Sequence, residues 1–251
     1  MLELFKHKFM KGIILAGGRA QRLRPLTKIT SKQLLRVYNK PMIFYPINTL
    51  VSAGIREILI IIAPEYAGHF LNLLGSGREF GAKFTYEIQE EPHGLADAFN
   101  IGRDFIDRDN VTMILGDNIF VDYNFTSDIN NFKSGGYIFA INVTDPKRYG
   151  VVEFDKNKRV LSIEEKPEIP KSKYAIPGIY IFDHRVTEFV KNIKPSERGE
   201  IEIVELHKKY LKRGELKVSI IDCIWEDAGT FDSLLRISNI IAEHEGKEKT
   251  I

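Results

Sequence analysis

The sequence predicts an α/β fold: a Rossmann-like, largely parallel mixed sheet flanked by helices, with a β-rich insertion. Three observations carry this. Short β-branched apolar runs alternate with longer segments of helical period through the first 144 residues. The first run feeds directly into Gly17-Gly18, the strand-to-loop transition at which open α/β sheets bind ligands. After Asp145 the texture changes to short paired runs around turn residues.

In chain order, strands are expected near Gly12–Ala16, Glu57–Ala63, Phe84–Ile88, Thr112–Leu115 and Tyr137–Val143. Helices are expected between them near Ile43–Ser52, Tyr66–Leu74 and Leu95–Ile106. Beyond Asp145, Tyr149–Phe154 and Val160–Glu164 flank Asp155-Lys156-Asn157-Lys158 as a hairpin, and Tyr174–Phe182 reads as one further strand. Glu202–Lys212 and Phe231–Glu243 have helical spacing. No repeat or Pro/Gly-rich linker divides the chain, so one compact body is expected.

With 43% hydrophobic residues in 251, the chain can bury a sizeable core. Its 36 basic and 34 acidic residues leave a formal charge of +2, which gives no global attraction to nucleic acid or an anionic membrane. No apolar run is long enough to span a bilayer, so no membrane partner is expected. The opening MLELFKHKF lacks a signal-peptide pattern and reads as an extension over residues 1–9. The single Cys223 leaves no disulfide or zinc framework and fits a cytoplasmic location. There is no His-Glu-x-x-His and no Ser-His-Asp arrangement.

Gly17-Gly18-Arg19-Ala20-Gln21-Arg22-Leu23-Arg24-Pro25 places two glycines and three arginines after the first strand. Glycines let backbone N–H groups approach phosphate oxygens, and arginine presents a charged donor fork to them. Polyphosphate binding is the chemistry suggested, although a tight turn with solvated arginines has the same composition. The dehydrogenase Gly-x-Gly-x-x-Gly and the Gly-Lys-Ser/Thr of P-loops are both absent.

Two acids sit at ends of apolar runs: Asp117 in Gly116-Asp117-Asn118, and Asp227 in Trp225-Glu226-Asp227-Ala228-Gly229-Thr230. Two carboxylates, phosphate oxygens and water make a suitable shell for Mg²⁺, a hard ion seldom held by an all-protein cage. Each acid taken singly also fits an Asx turn or a helix cap.

Lys11 to Gly18, Arg22-Leu23, Ser31-Lys32-Gln33-Leu34-Leu35 and Lys40-Pro41-Met42 together resemble the signature of the sugar nucleotidylyltransferases, most closely their glucose-1-phosphate thymidylyltransferase branch in its short form. The similarity runs from Met10 to about Ile241. It implies Mg²⁺-dependent nucleotidylyl transfer from dTTP to glucose 1-phosphate, giving dTDP-glucose and pyrophosphate for activated-sugar biosynthesis. It also implies a homo-oligomer, dimer or tetramer.

By the same resemblance, Arg22 and Lys32 hold the triphosphate, the backbone of Gly17, Gly18, Arg19, Ala20 and Gln21 wraps it, and Gln33 lies beside the nucleotide sugar. Gln89 and Gly94 hold the base, Asp117 and Asp227 the metal. Lys166 and Arg198 take the sugar's phosphate, Glu165 and Asn118 its hydroxyls, while Tyr149, Gly150 and Gly178 wall the pocket. The implied layout is one domain over 10–251, with 10–144 and 215–245 as nucleotide-binding core and 145–214 as sugar-phosphate-binding part.

The chain departs from the family at Arg19-Ala20-Gln21, where small residues are usual, at Arg36, and at Pro177 in place of a threonine. If Ala20 needs a positive φ, alanine costs energy there that glycine does not. UTP or another nucleotide with a different hexose 1-phosphate is the alternative reading, and a non-catalytic sugar-nucleotide-binding regulator is a further one.

Overall fold

The computed structural model describes residues 9–248. The expected extension over 1–9 therefore lies outside them except for Phe9, as do 249–251.

Ten strands form one mixed sheet. At its centre Met10–Ala16 runs parallel to Glu57–Ile62 on one side and to Asn110–Leu115 on the other, and Lys83–Ile88 extends the first side in parallel. Ile179–Phe182 then pairs antiparallel with both Asn110–Leu115 and Gly136–Asn142, and Leu216–Ile220 runs parallel to Gly136–Asn142. Gly150–Phe154, Val160–Glu165 and Tyr174–Ala175 complete that flank in antiparallel pairs.

Alternation along the central strands explains why their sequence is apolar throughout rather than at every second residue. Ile13, Leu15, Leu59 and Ile61 pack on one face with Phe99, Leu206 and Tyr210, whereas Ile14, Ile58, Ile60 and Ile62 pack on the other with Ile47, Leu50 and Phe70. A strand covered on both faces keeps no solvent side for polar residues. Each such isoleucine contributes about 1.5–3 kcal/mol through burial. A third apolar cluster joins Val37 and Met42 to Ile119, Val121, Ile237 and Ile241, seating the last helix, Phe231–Glu248.

Three departures from the expected elements bear on the site. The expected helix Leu95–Ile106 is broken into a 3₁₀ turn, Ala98–Ile101 and Arg103–Ile106. A Cβ on Gly102 would lie 3.0 Å from Ile13 Cδ1 and from Leu59 Cδ2, so the helix pieces approach the sheet closely at this glycine.

The expected strand Tyr174–Phe182 is two strands, Tyr174–Ala175 and Ile179–Phe182, on different partners. Pro177 has no N–H for a ladder. The Gly178 N–H instead donates to Asn118 Oδ1 at 2.9 Å, so the chain changes partners beside the first acid.

A two-stranded sheet absent from the sequence reading pairs Asn118–Val121 antiparallel with Ile224–Asp227, placing Asn118 opposite Asp227. Its strands have four residues each and are far apart in sequence, so neither shows a period by itself.

Candidate active site

The first strand delivers Gly17-Gly18 to the carboxyl edge of the sheet, where Gly116 N–H donates to Leu15 O at 2.9 Å and aligns the end of the neighbouring strand. Gly17 packs on the Gln89 side chain, which is buried. Gly18 has open space on its side-chain face. Ala20 adopts φ 44° and ψ 46°, the left-handed conformation at which alanine is costly, so the strain anticipated from the sequence is present. Arg19 reaches across to Glu91 at 2.5 Å, tying the loop to the segment that follows Gln89.

Lys32 sits inside a short structural clamp. Ser31 Oγ donates to Gln33 Oε1 at 2.6 Å, and Ile43 N–H donates to Gln33 O at 2.9 Å. A Cβ on Gly116 would meet Gln33 Cγ at 2.9 Å. Gln33, expected beside the nucleotide sugar, is thus buried as the pin of this turn, with 2% of its surface exposed. The pin aims Lys32 at Asp117, and the ammonium donates to Asp117 Oδ2.

Asp117 and Asp227 are brought together by the small two-stranded sheet, and Ala228 N–H donates to Asp117 O at 2.9 Å. Burial pushes the Asp117 carboxyl up, but the Lys32 charge and the bonds from Lys32 and Asn118 outweigh it and hold it below the usual carboxylate range. Asp227 behaves oppositely. Burial first, then repulsion from Asp117, raises it to about 6 against the pull of Lys32 and Arg22. Its Oδ1 is buried without a hydrogen-bond partner.

A buried carboxylate pair with an orphaned oxygen is the donor set a divalent cation would complete. Among the described residues no group of three or more His, Cys, Asp or Glu is placed to hold a metal. Two protein carboxylates plus substrate oxygens is the shell suited to Mg²⁺.

Sequence reasoning passed over Gly229. A Cβ there would meet Asp227 Oδ1 at 2.7 Å and Arg22 Nη2 at 2.9 Å, so this glycine lets Arg22 reach the acids. Its signal lay in the Trp-x-Asp-x-Gly-Thr spacing.

On the other side of the acids, a 130 Å³ cavity gathers Asn118, Tyr149, Gly150, Glu165, Gly178 and Asp227. Asn118 Oδ1 accepts from Gly178 N–H and from Trp225 Nε1 at 2.7 Å, while its Nδ2 donates to Asp117 Oδ1 at 3.1 Å. Most of its amide is therefore spent on holding the wall. The Tyr149 ring lies 5.0 Å from Trp225, and the Arg148 guanidinium lies 5.6 Å from the centre of the same ring. Arg148, Trp225 and His207 also line this cavity and were not singled out from the sequence.

Lys166 and Arg198 line an adjoining 440 Å³ cleft that shares Glu165 and Val204 with the first. Lys166, at φ 43°, turns its ammonium to Glu165 at 3.3 Å. Arg198 is half-exposed and paired with Glu202 at 2.8 Å. Gly94, at φ 105°, presses on the Ile201 backbone, where a Cβ would meet the nitrogen at 2.6 Å. Ile201 N–H donates to His93 O and Ala96 N–H to Ile201 O, which links the Gln89–Gly94 segment to the Arg198 loop.

The site residues thus fall into a glycine loop, an acid pair and a 130 Å³ cavity with a basic rim in the adjoining cleft. A larger cleft of 780 Å³, lined by Phe9, Lys11, Arg56 and Lys133 among others, opens at the amino ends of the strands and contains none of these residues. Among the described residues no helix is long and apolar enough to cross a membrane.

The Nucleotidyl transferase family pattern matches this chain over residues 11–244. A glucose-1-phosphate thymidylyltransferase from Neisseria meningitidis is 50% identical over 237 residues, covering 92% of this chain and 82% of the relative. The Mycolicibacterium smegmatis enzyme of the same name is 50% identical over 236 residues, with the same coverage. Among solved structures, a Bacillus anthracis chain described as a glucose-1-phosphate thymidylyltransferase, in complex with a sucrose, superposes with a TM-score of 0.87. It is 43% identical and covers 92% of this chain and 95% of its own. A UDP-glucose pyrophosphorylase complexed with UDP-glucose, 23% identical, shares the fold at a TM-score of 0.82 over 94% of this chain and all of its own. With a glycine loop, paired acids and a cavity on one edge of a mixed sheet, and with relatives at half identity over most of its length, this chain belongs to the nucleotidyl transferase family.

Proposed function

We propose that this chain transfers a thymidylyl group from dTTP to glucose 1-phosphate, forming dTDP-glucose and pyrophosphate, with Mg²⁺ at Asp117 and Asp227. The carrying observation is the register that sets Asn118 opposite Asp227, because it stands the acid pair between the glycine loop and the 130 Å³ cavity. A group held in the cavity and a triphosphate held in the loop would meet at those acids. The thymidylyltransferases at 50% identity support dTTP and glucose 1-phosphate as the pair.

The sugar-phosphate oxygen is already an anionic nucleophile, so in-line attack on the α-phosphorus needs no covalent enzyme intermediate. Positioning and charge neutralisation are then the protein's work. Arg22 and Lys32 bind the triphosphate beside the acids. Lys166 and Arg198 bring the sugar phosphate against a like-charged nucleotide, and Glu165 accepts hydrogen bonds from sugar hydroxyls. Gln89 and Gly94 hold the pyrimidine edge. Asp117 and Asp227 would hold Mg²⁺, which would supply Lewis-acid neutralisation of the phosphate charge.

The test is pyrophosphate release with dTTP, UTP, CTP and GTP, each against several hexose 1-phosphates, with Mg²⁺ and with excess EDTA. The dTTP and glucose 1-phosphate pair should give the highest kcat/KM, and EDTA should abolish turnover. Faster turnover with another pair would transfer the assignment to it. Tight nucleotide binding with no pyrophosphate from any pair would make the chain a sugar-nucleotide-binding regulator.

A further inference from the structure

One buried group at the proposed sugar cavity has no role in the reaction described so far. His207, on the helix Ile203–Lys212, is fully buried, lines the cavity, and has no hydrogen-bond partner at either ring nitrogen. Its ring lies 5.1 Å from Tyr180 and is stacked 5.7 Å from Phe182. Ile203 and Val204 from the same helix line the cavity with it, and the Glu165 carboxylate and Val204 both lie against Gly150.

Buried polar groups in folded proteins are nearly always hydrogen-bonded, and an orphaned one calls for a partner that the protein itself lacks. A leucine or phenylalanine would fill the same space without stripping water from two ring nitrogens. Burial keeps the imidazole neutral, pushing it down to about 3. Neutral imidazole has one donor and one acceptor nitrogen, the complement of a hydroxyl.

We infer that His207 determines specificity for the sugar by hydrogen-bonding one hydroxyl of the hexose at the end of the cavity built by the helix Ile203–Lys212. The chain would thereby select hexose 1-phosphates hydroxylated at that carbon over their deoxy counterparts. A site built to bond a hydroxyl rejects the analogue lacking it far more strongly than an apolar pocket rejects a missing methylene, since the site's buried polar group is left unpaired.

This inference rests on the proposed transfer to glucose 1-phosphate, and the experiment separates the two. The wild type, His207→Leu and His207→Gln are compared with dTTP and the four monodeoxy analogues of glucose 1-phosphate, by kcat/KM for pyrophosphate release. The wild type should lose at least about 100-fold on one analogue. In His207→Leu the penalty on that analogue should fall to about 3-fold or less, because the wall no longer carries an unpaired polar group. Penalties on the other three should stay at wild-type values. His207→Gln, which keeps a donor and an acceptor, should retain most of the single penalty.

Identical penalties in the wild type and His207→Leu on all four analogues would overturn the assignment. If His207→Leu does not fold, His207→Met, which carries no N–H donor, decides: a penalty that falls on one analogue alone supports the bond, and four unchanged penalties overturn it. A wild type that turns over no glucose 1-phosphate at all overturns the underlying reading instead.

Discussion

The Lys32 ammonium donates to the Asp117 carboxylate, although 85 residues separate them in the chain. Asp117 is therefore charged and paired while its buried neighbour Asp227 is pushed towards neutrality. Binding a cation at the acids means drawing Lys32 away from Asp117, and a triphosphate offers Lys32 a new partner. Mg²⁺ alone should bind weakly and bind well only with nucleotide. Lys32→Ala should raise Mg²⁺ affinity of the nucleotide-free protein by calorimetry while lowering kcat by about 10²–10³. Weaker metal binding in the variant would show that Lys32 does not compete with the ion.

Asp227→Asn should separate stability from activity. The substitution removes a charge that burial and Asp117 both disfavour. The metal-free variant should gain on the order of 1–3 kcal/mol in urea unfolding. Pyrophosphate release should fall by about 10² or more. A destabilised variant would mean that the Asp227 charge is better paired, by Arg22, than the repulsion suggests.

Ala20 occupies the left-handed region at φ 44°. An L-residue there costs about 1–2 kcal/mol, whereas glycine costs the unfolded chain about 0.5–1 kcal/mol in extra freedom. Ala20→Gly should therefore stabilise the protein by roughly 0.5–1 kcal/mol, read from urea midpoints at constant slope. Loss of stability would show that the loop is relaxed at this residue in solution.

His207 links stability to acid. Burial lowers its imidazole from 6.5 to about 3, so between those values the unfolded chain binds a proton that the folded chain refuses. Its contribution is fully present above about pH 6.5 and is lost as pH falls towards 3, at up to about 1.4 kcal/mol per pH unit. His207→Leu should flatten this limb. Unfolding free energies of both proteins at several pH values between about 7 and 4 check it, and parallel curves would show a hydrated or partnered imidazole.

Particular elements show how far local chemistry reaches. The central strands were legible because burial on both faces writes continuous Ile and Leu runs into Ile13–Leu15 and Ile58–Ile62. The break at Gly102 was not, and the side chains this glycine packs against, Ile13 and Leu59, are both distant in the chain. The division of Tyr174–Phe182 likewise depends on Asn118 claiming the Gly178 N–H, although Pro177 hinted at it.

By itself, the amino-acid sequence determined the α/β class, the glycine loop after the first strand, and the two acids at the ends of apolar runs. Each is a local property, set by periodicity, by turn chemistry or by a short motif. Only the tertiary structure decided that Asp117 is paired while Asp227 Oδ1 is not, that Gln33 is a buried pin, and that His207 lines the cavity without a hydrogen-bond partner. Those outcomes depend on burial and on charges brought together by long-range pairing, above all Asn118–Val121 with Ile224–Asp227. Desolvation and Coulomb interactions act through space, so a carboxylate's charge state is set by neighbours that its own segment of sequence does not contain.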